Sequence, residues 1–260
     1  MVDPLATAID RNERAHATTQ VSIRALGSFA VYRAGEPVPA SAWQSRKARH
    51  ALKILAGRGG RPISRDALCE LLWPEQIDTG SRLSVVLSTL RSVLDPDRRH
   101  PSDHYVVADR ESARLNVATV AIDAARFADV ADAALRLSRA GDPAAVEALE
   151  NASAAYTGDF LEDDPYHPWA AETRDRLRAL AAEVRRELVR AVEAGDPERA
   201  VPWLLTLLSD DPYDESSHHR LIRILHQAGR HGEARRAHRR YLNSMAEIDV
   251  PAMPLEALLV

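Results

Sequence analysis

The sequence predicts a mainly α protein with a small β part. An N-terminal winged helix-turn-helix is followed by an all-α, tetratricopeptide-like helical-repeat domain. Three observations predict this. Short alternating segments and three capped helical patterns come first, and a hairpin pattern over residues 105–117 closes them. From Ile122 onward the apolar periodicity is helical to the end. Within that half, Gly195 and Gly229 lie 34 residues apart, as do Ala200 and Ala234. A period of that length marks helix pairs that bury their faces by stacking. The expected boundaries are a flexible tail over 1–20, a DNA-binding winged helix over 21–120 and helical repeats over 121–260.

The elements follow in order. From Val21, V-S-I-R-A-L-G-S-F-A-V-Y-R-A-G-E-P-V alternates and turns at Ala34-Gly35, which reads as two or three short strands. Ser45 is placed to cap a helix, R-K-A-R-H-A-L-K-I-L-A, ended by Gly57 and by Gly59-Gly60. Ser64 caps a second, S-R-D-A-L-C-E-L-L-W, with Pro74 as its stop. Cys69 and Trp73 are expected in the core there. Asp78 or Thr79 caps the third helix, and Asp95-Pro96 closes it. Segments 105–108 and 113–117, separated by Asp109-Arg110-Glu111-Ser112, form the hairpin that makes the wing. Helices are then expected near 123–140, 143–156, 168–194, 197–209, 214–228 and 231–246. The loop 158–168 interrupts them; Asp159 and Phe160 tie it to the helices, and Glu162-Asp163-Asp164 is expected to be solvated.

Composition narrows the function. No apolar run approaches the roughly 18 residues that would signal a membrane span, so no membrane partner is expected. Residues 1–20 hold no apolar signal-peptide core, and Cys69 is the only cysteine, which fits a cytoplasmic protein without disulfides. Residues 21–120 hold 15 basic and 10 acidic side chains, a net +5, whereas 121–260 hold 17 and 25, a net −8. A polyanion partner is therefore expected for the front half only. The ten histidines include His218-His219, His226, His231 and His238, read as solvated or capping, and no carboxylate or cysteine converges on them as a metal site. There is no Gly-rich phosphate loop, Ser-His-Asp signature or zinc-protease motif. No enzyme, cofactor or metal is expected.

The third helix carries the functional argument. Leu83, Val86, Leu87, Leu90 and Leu94 share one face, and the opposite face shows Ser81, Val85, Ser88, Thr89 and Ser92, flanked by Arg82 and Arg91. A solvated surface helix usually carries Glu and Lys in pairs; this one has no acid between Asp78 and Asp95. Hydroxyls, one exposed Val and arginine suit a groove lined by phosphates and base edges. Val85 is placed to meet a thymine methyl, and Arg82 and Arg91 to reach phosphate or guanine edges. Arg46, Lys47 and Arg49 on the first helix and Arg65 on the second are candidate phosphate contacts. Arg110 and Arg114 on the wing are placed for the minor groove or the backbone.

Both halves together resemble the Streptomyces antibiotic regulatory protein family, in which a winged helix precedes a bacterial transcriptional activator domain. The resemblance lies in Leu26-Gly27, in S-R-K-A-R-H-A-L-K-I-L-A-G-R-G-G-R-P-I-S-R-D-A-L-C-E-L-L-W from Ser45, and in L-S-T-L-R-S-V-L from Leu87. It continues in Asp123 with Phe127, Y-T-G-D-F-L from Tyr156, and Trp169 with Arg174. The last matches are D-P-Y-D-E-S-S-H-H-R-L from Asp211 and A-G-R-H-G-E-A-R-R-A-H-R-R-Y from Ala228. The resemblance implies a sequence-specific activator that binds direct repeats in double-stranded promoter DNA and contacts RNA polymerase, with homodimerisation left open. The family's Gly-Tyr near the wing tip reads Ser112-Ala113 here, and its Asn or Gln in the third helix reads Ser or Leu. No receiver domain, ATPase loop or phosphopeptide-binding domain is seen, so no seat for direct phosphorylation or nucleotide control is expected. The alternative expectation is a protein-protein adaptor whose winged helix does not read DNA.

Overall fold

A computed structural model describes residues 21–76 and 79–259. The chain divides into two compact units. The first takes the described residues up to Val130 together with Ala154–Ala179; the second takes Ala131–Ser153 and everything from Leu180 on.

In the first unit β1 (Val21–Arg24), β2 (Ala30–Arg33), β3 (Glu36–Pro37) and β7 (Val120–Ile122) form one sheet, in the order β3-β2-β1-β7. Ala34 and Gly35, at φ 48° and 84°, make a two-residue turn with Arg33 opposite Glu36. Positive φ at both central residues gives the strand twist a tight hairpin needs. β7 runs parallel to β1 and was not foreseen, because its three residues are too few to show alternation. A second sheet, β4-β6-β5, joins Ile63–Ser64, Ser112–Leu115 and Val106–Ala108. The wing therefore has a third strand, at the residue that also caps a helix.

Three helices stand with these sheets: α1 (Arg46–Gly57), α2 (Arg65–Leu72) and α3 (Gly80–Leu94). Ser45 Oγ accepts from Ala48 N at 3.2 Å and Ser64 Oγ from Ala67 N at 3.2 Å, so both expected caps form. Each such cap is worth about 1 kcal/mol. Thr79 precedes α3, but its side chain makes no capping bond; Asp78 lies outside the described residues. Asp95 closes α3 by accepting from Arg99 N and His100 N at 3.0 and 2.9 Å. Leu83, Val86, Leu87, Leu90 and Leu94 are all buried. Two expectations need correction: Cys69 and Trp73 are half-buried rather than core residues, because their side of α2 is not fully covered.

The segment 154–167 packs on this unit. Gly27 N donates to Asp159 O at 2.8 Å and Leu161 N to Ala25 O at 2.8 Å, while Phe160 is fully buried. A Cβ at Gly57 would stand 2.9 Å from Phe160 Cζ, so glycine there makes room for the ring. The expectation of a solvated Glu162-Asp163-Asp164 run fails at Asp164, which pairs with Lys53. Burial pushes the Asp164 carboxyl up, but the Lys53 bond and charge outweigh it and hold it below its ordinary value. Asp123, which opens α4 (Asp123–Arg139), accepts from Ala25 N and Leu26 N at 2.7 and 3.0 Å. Burial raises its pKa to about 6.

The remaining helices are α5 (Ala145–Ala155), α6 (Pro168–Glu193), α7 (Val201–Asp210), α8 (Glu215–Gln227), α9 (His231–Glu247) and α10 (Leu255–Leu258). The fold is the expected one: mainly α, a small β part, winged helix then helical repeats. Ala200 and Ala234, one period apart, are both buried at helix starts. His218 was expected to be solvated or capping; it is buried, and its Nε2 lies 2.9 Å from Pro212 O. Burial lowers its pKa, so the ring stays neutral in the core. Among the described residues no helix is long and apolar enough to cross a membrane.

Candidate nucleic-acid interface

The site is built on α3. Its buried leucines fix the rotation of the helix, which leaves Ser81, Arg82, Ser84, Val85, Ser88 and Ser92 exposed and Thr89 half-buried. Val85 keeps 66% of its surface in solvent, at the centre of a polar face. A shallow groove runs along this face, lined by Ala42, Gln44, Ser84, Val85, Ser88, Thr89, Ser92 and Val93. No acidic side chain lines it.

Of the four lining residues that were not foreseen, Ala42, Gln44, Ser84 and Val93, two are polar. Ser84 sits one position from Val85 and accepts from Arg65 Nη2 at 3.0 Å. Gln44 is exposed just before the Ser45 cap and reaches the same groove from a different segment. It supplies the amide that the third helix lacks. Its only sequence signal is its place before a cap, which says nothing about what lies across from it.

The candidate cations divide into two groups. Arg65 joins three elements: its N donates to Glu111 O at 2.8 Å, Nη1 to Asp109 O at 3.4 Å and Nη2 to Ser84. It thus holds the wing turn beside the start of α3. Asp109 Oδ1 accepts from Glu111 N and Ser112 N at 2.8 and 2.7 Å, which stabilises that turn and, with those bonds, lowers the Asp109 pKa. Arg110 is exposed at the turn, Arg114 half-buried on β6, and Arg46 exposed in the first turn of α1. Arg82 is exposed and donates to Gln76 Oε1 at 2.7 Å.

The other cations are tied to backbone carbonyls, although Arg49 remains exposed. Arg91 donates from Nε and Nη2 to Val106 O at 3.3 and 3.1 Å, tying α3 to the wing. Lys47 Nζ donates to Leu72 O, a carbonyl at the end of α2. Arg49 Nη2 donates to Phe29 O at 3.3 Å, with its guanidinium 5.2 Å from the Phe29 ring centre. Behind them His50 stacks near His167 and Trp169, with ring centres 4.6 and 5.6 Å away. Burial, then the charges of His167, Lys47 and Lys53, lower the His50 pKa to about 4. Among the described residues no group of histidines, cysteines and carboxylates has the makings of a metal site.

The geometry offers an uncharged groove for base edges, with cations at its border. The family described as bacterial transcriptional activator domain matches residues 122–254. Among solved structures the chain is similar to Mycobacterium tuberculosis EmbR, determined in complex with a low affinity phosphopeptide, at 25% identity and a TM-score of 0.64. The match covers 93% of this chain and 64% of that one. No curated protein sequence matches the chain.

Proposed function

The chain belongs to the Streptomyces antibiotic regulatory protein family of transcriptional regulators carrying a bacterial transcriptional activator domain, and on that premise we propose that it is a sequence-specific, DNA-binding activator. In this reading α3 enters the major groove of promoter DNA. Ser81, Val85, Ser88, Thr89 and Ser92 face the bases, and Gln44 adds an amide suited to an adenine edge. Arg82, Arg46, Arg110 and Arg114 grip phosphates, with Arg65 setting the wing beside the groove. Lys47, Arg49 and Arg91 act as positioning residues. The helical repeats contact RNA polymerase and serve any homodimer formed on direct repeats.

One observation carries the reading: the exposed face of α3 is free of acids, centred on a solvent-facing Val85 and bordered by cations. The test is electrophoretic retardation of duplexes enriched from a random pool, followed by transcription from the best of them with purified polymerase. The proposal expects tight, salt-sensitive retardation and raised transcription. No enriched sequence, together with salt-insensitive association with a protein partner, contradicts it and favours an adaptor.

A further inference from the structure

The helical-repeat unit spends its arginines unevenly. Seven are held in ion pairs inside the unit, among them Arg139 with Glu183, Arg185 with Asp210, Arg186 with Asp214 and Arg199 with Glu150. Six others form none among the described residues: Arg136 and Arg223 stand singly on α4 and α8, and four are gathered on α9. Arg235, Arg236, Arg239 and Arg240 are all exposed on α9 and, among the described residues, none of them forms an ion pair. Glu233, three residues before Arg236, is held by two bonds of 2.8 Å from Arg230.

Helix geometry puts the four on one face. Ala234, Ala237, Tyr241 and Met245 are buried on the inner side of α9. At 3.6 residues per turn the outer side shows Gly232, Asn243 and Ala246 with the four arginines, and Glu247 only at its C-terminal end, where it accepts from Tyr213 OH at 3.2 Å. Arg235 and Arg239, like Arg236 and Arg240, are one turn apart, and like charges so placed destabilise a helix. A polyanion relieves that repulsion. A protein surface is the poorer fit, since a hot-spot arginine works in a well-packed, desolvated pocket and these four stand open with no aromatic beside them on the face. Leu242, 39% exposed, lies only at its margin. Phosphates require no such pocket.

We infer that the outer face of α9 is a second, sequence-independent DNA contact that grips the phosphate backbone of a duplex through Arg235, Arg236, Arg239 and Arg240. It deepens the DNA-binding reading above and rests on it for the nature of the partner. It places a backbone foothold in the half of the chain whose net charge of −8 argues against one.

Equilibrium binding of the full chain to a labelled mixed-sequence duplex across a range of salt tests this. Four proteins are compared: the natural chain, a quadruple Arg→Ala variant at 235, 236, 239 and 240, the matching quadruple Arg→Lys variant, and Val85→Glu. Each lost phosphate contact makes the slope of log K against log salt shallower by about 0.9. The alanine variant is expected to lose about two units of slope or more, and about tenfold or more in affinity at low salt. The lysine variant keeps both, because only charge is needed. If the alanine variant melts early, a quadruple glutamine variant is read in its place. Natural slope and affinity in the charge-free variant overturn the inference, including where binding of an acidic protein is lost instead. An unchanged Val85→Glu protein beside a weakened alanine variant retains this contact and rejects α3 as the reading element.

Discussion

The exposed faces of α3 and α9 are both free of acids across their centres, yet they are made for different tasks. α3 presents hydroxyls and Val85 with arginine only at its border, whereas α9 presents four free arginines and no apolar centre. The first can discriminate among base edges; the second can only hold. Net charge hides this difference. The basic half ties Lys47, Arg49 and Arg91 to its own carbonyls and Lys53 to Asp164 of the acidic half. Among the described residues the acidic half leaves exposed arginines such as Arg126, Arg136 and Arg223 unpaired on several helices, but gathers four on one face of α9. Free charge at a face, rather than summed charge in a domain, determines what that face can bind.

The comparison can be broken most severely at Val85. Val85→Glu sets a carboxylate against the bases and phosphates, where like-charge contact costs several kcal/mol. Retardation of a selected duplex should fall at least about 100-fold with an unchanged melting curve. Next is the packing behind the site. Asp164→Ala strands the buried Lys53 ammonium and should cost about 3 kcal/mol in urea unfolding.

Arg91 and Arg82 sharpen the contrast between tethered and free cations. Arg91→Ala removes the bonds to Val106 O and should cost about 1–2 kcal/mol of stability. Arg82→Ala should leave stability within about 0.5 kcal/mol and weaken DNA binding instead. Gln44→Ala is smaller still: about tenfold less discrimination at a single base position, measured against a panel of substituted duplexes.

His50 gives a pH test of the same packing. Its folded pKa of about 4 lies below the ordinary 6.5, so the unfolded chain takes up a proton that the folded chain refuses. Its contribution is complete above pH 6.5 and is lost as pH falls toward 4. Stability of the natural chain should decline over that window, and His50→Gln should flatten the decline.

Much of this was legible in the sequence. Ser45 and Ser64 announce their helices, the leucines of α3 give its rotation, and the 34-residue spacing of Ala200 and Ala234 gives the repeat. What was not legible depends on partners distant in the chain. β4 and β7 are too short to show alternation, and they form because β6 and β1 offer open edges. Periodicity puts Arg91 beside the exposed face but is silent about the Val106 carbonyl within its reach. Asp164 looks solvated until Lys53, 111 residues away, is brought to it. Gln44 joins the groove only because the segment before α1 folds against α3.

The central claim is that α3 reads DNA from the major groove. Methylation interference on duplexes enriched from a random pool tests it most directly, because methylated guanine N7 projects into that groove. The account predicts a shared enriched element in which major-groove methylation at its core abolishes binding. Failure to enrich any element, or binding indifferent to that methylation, contradicts it.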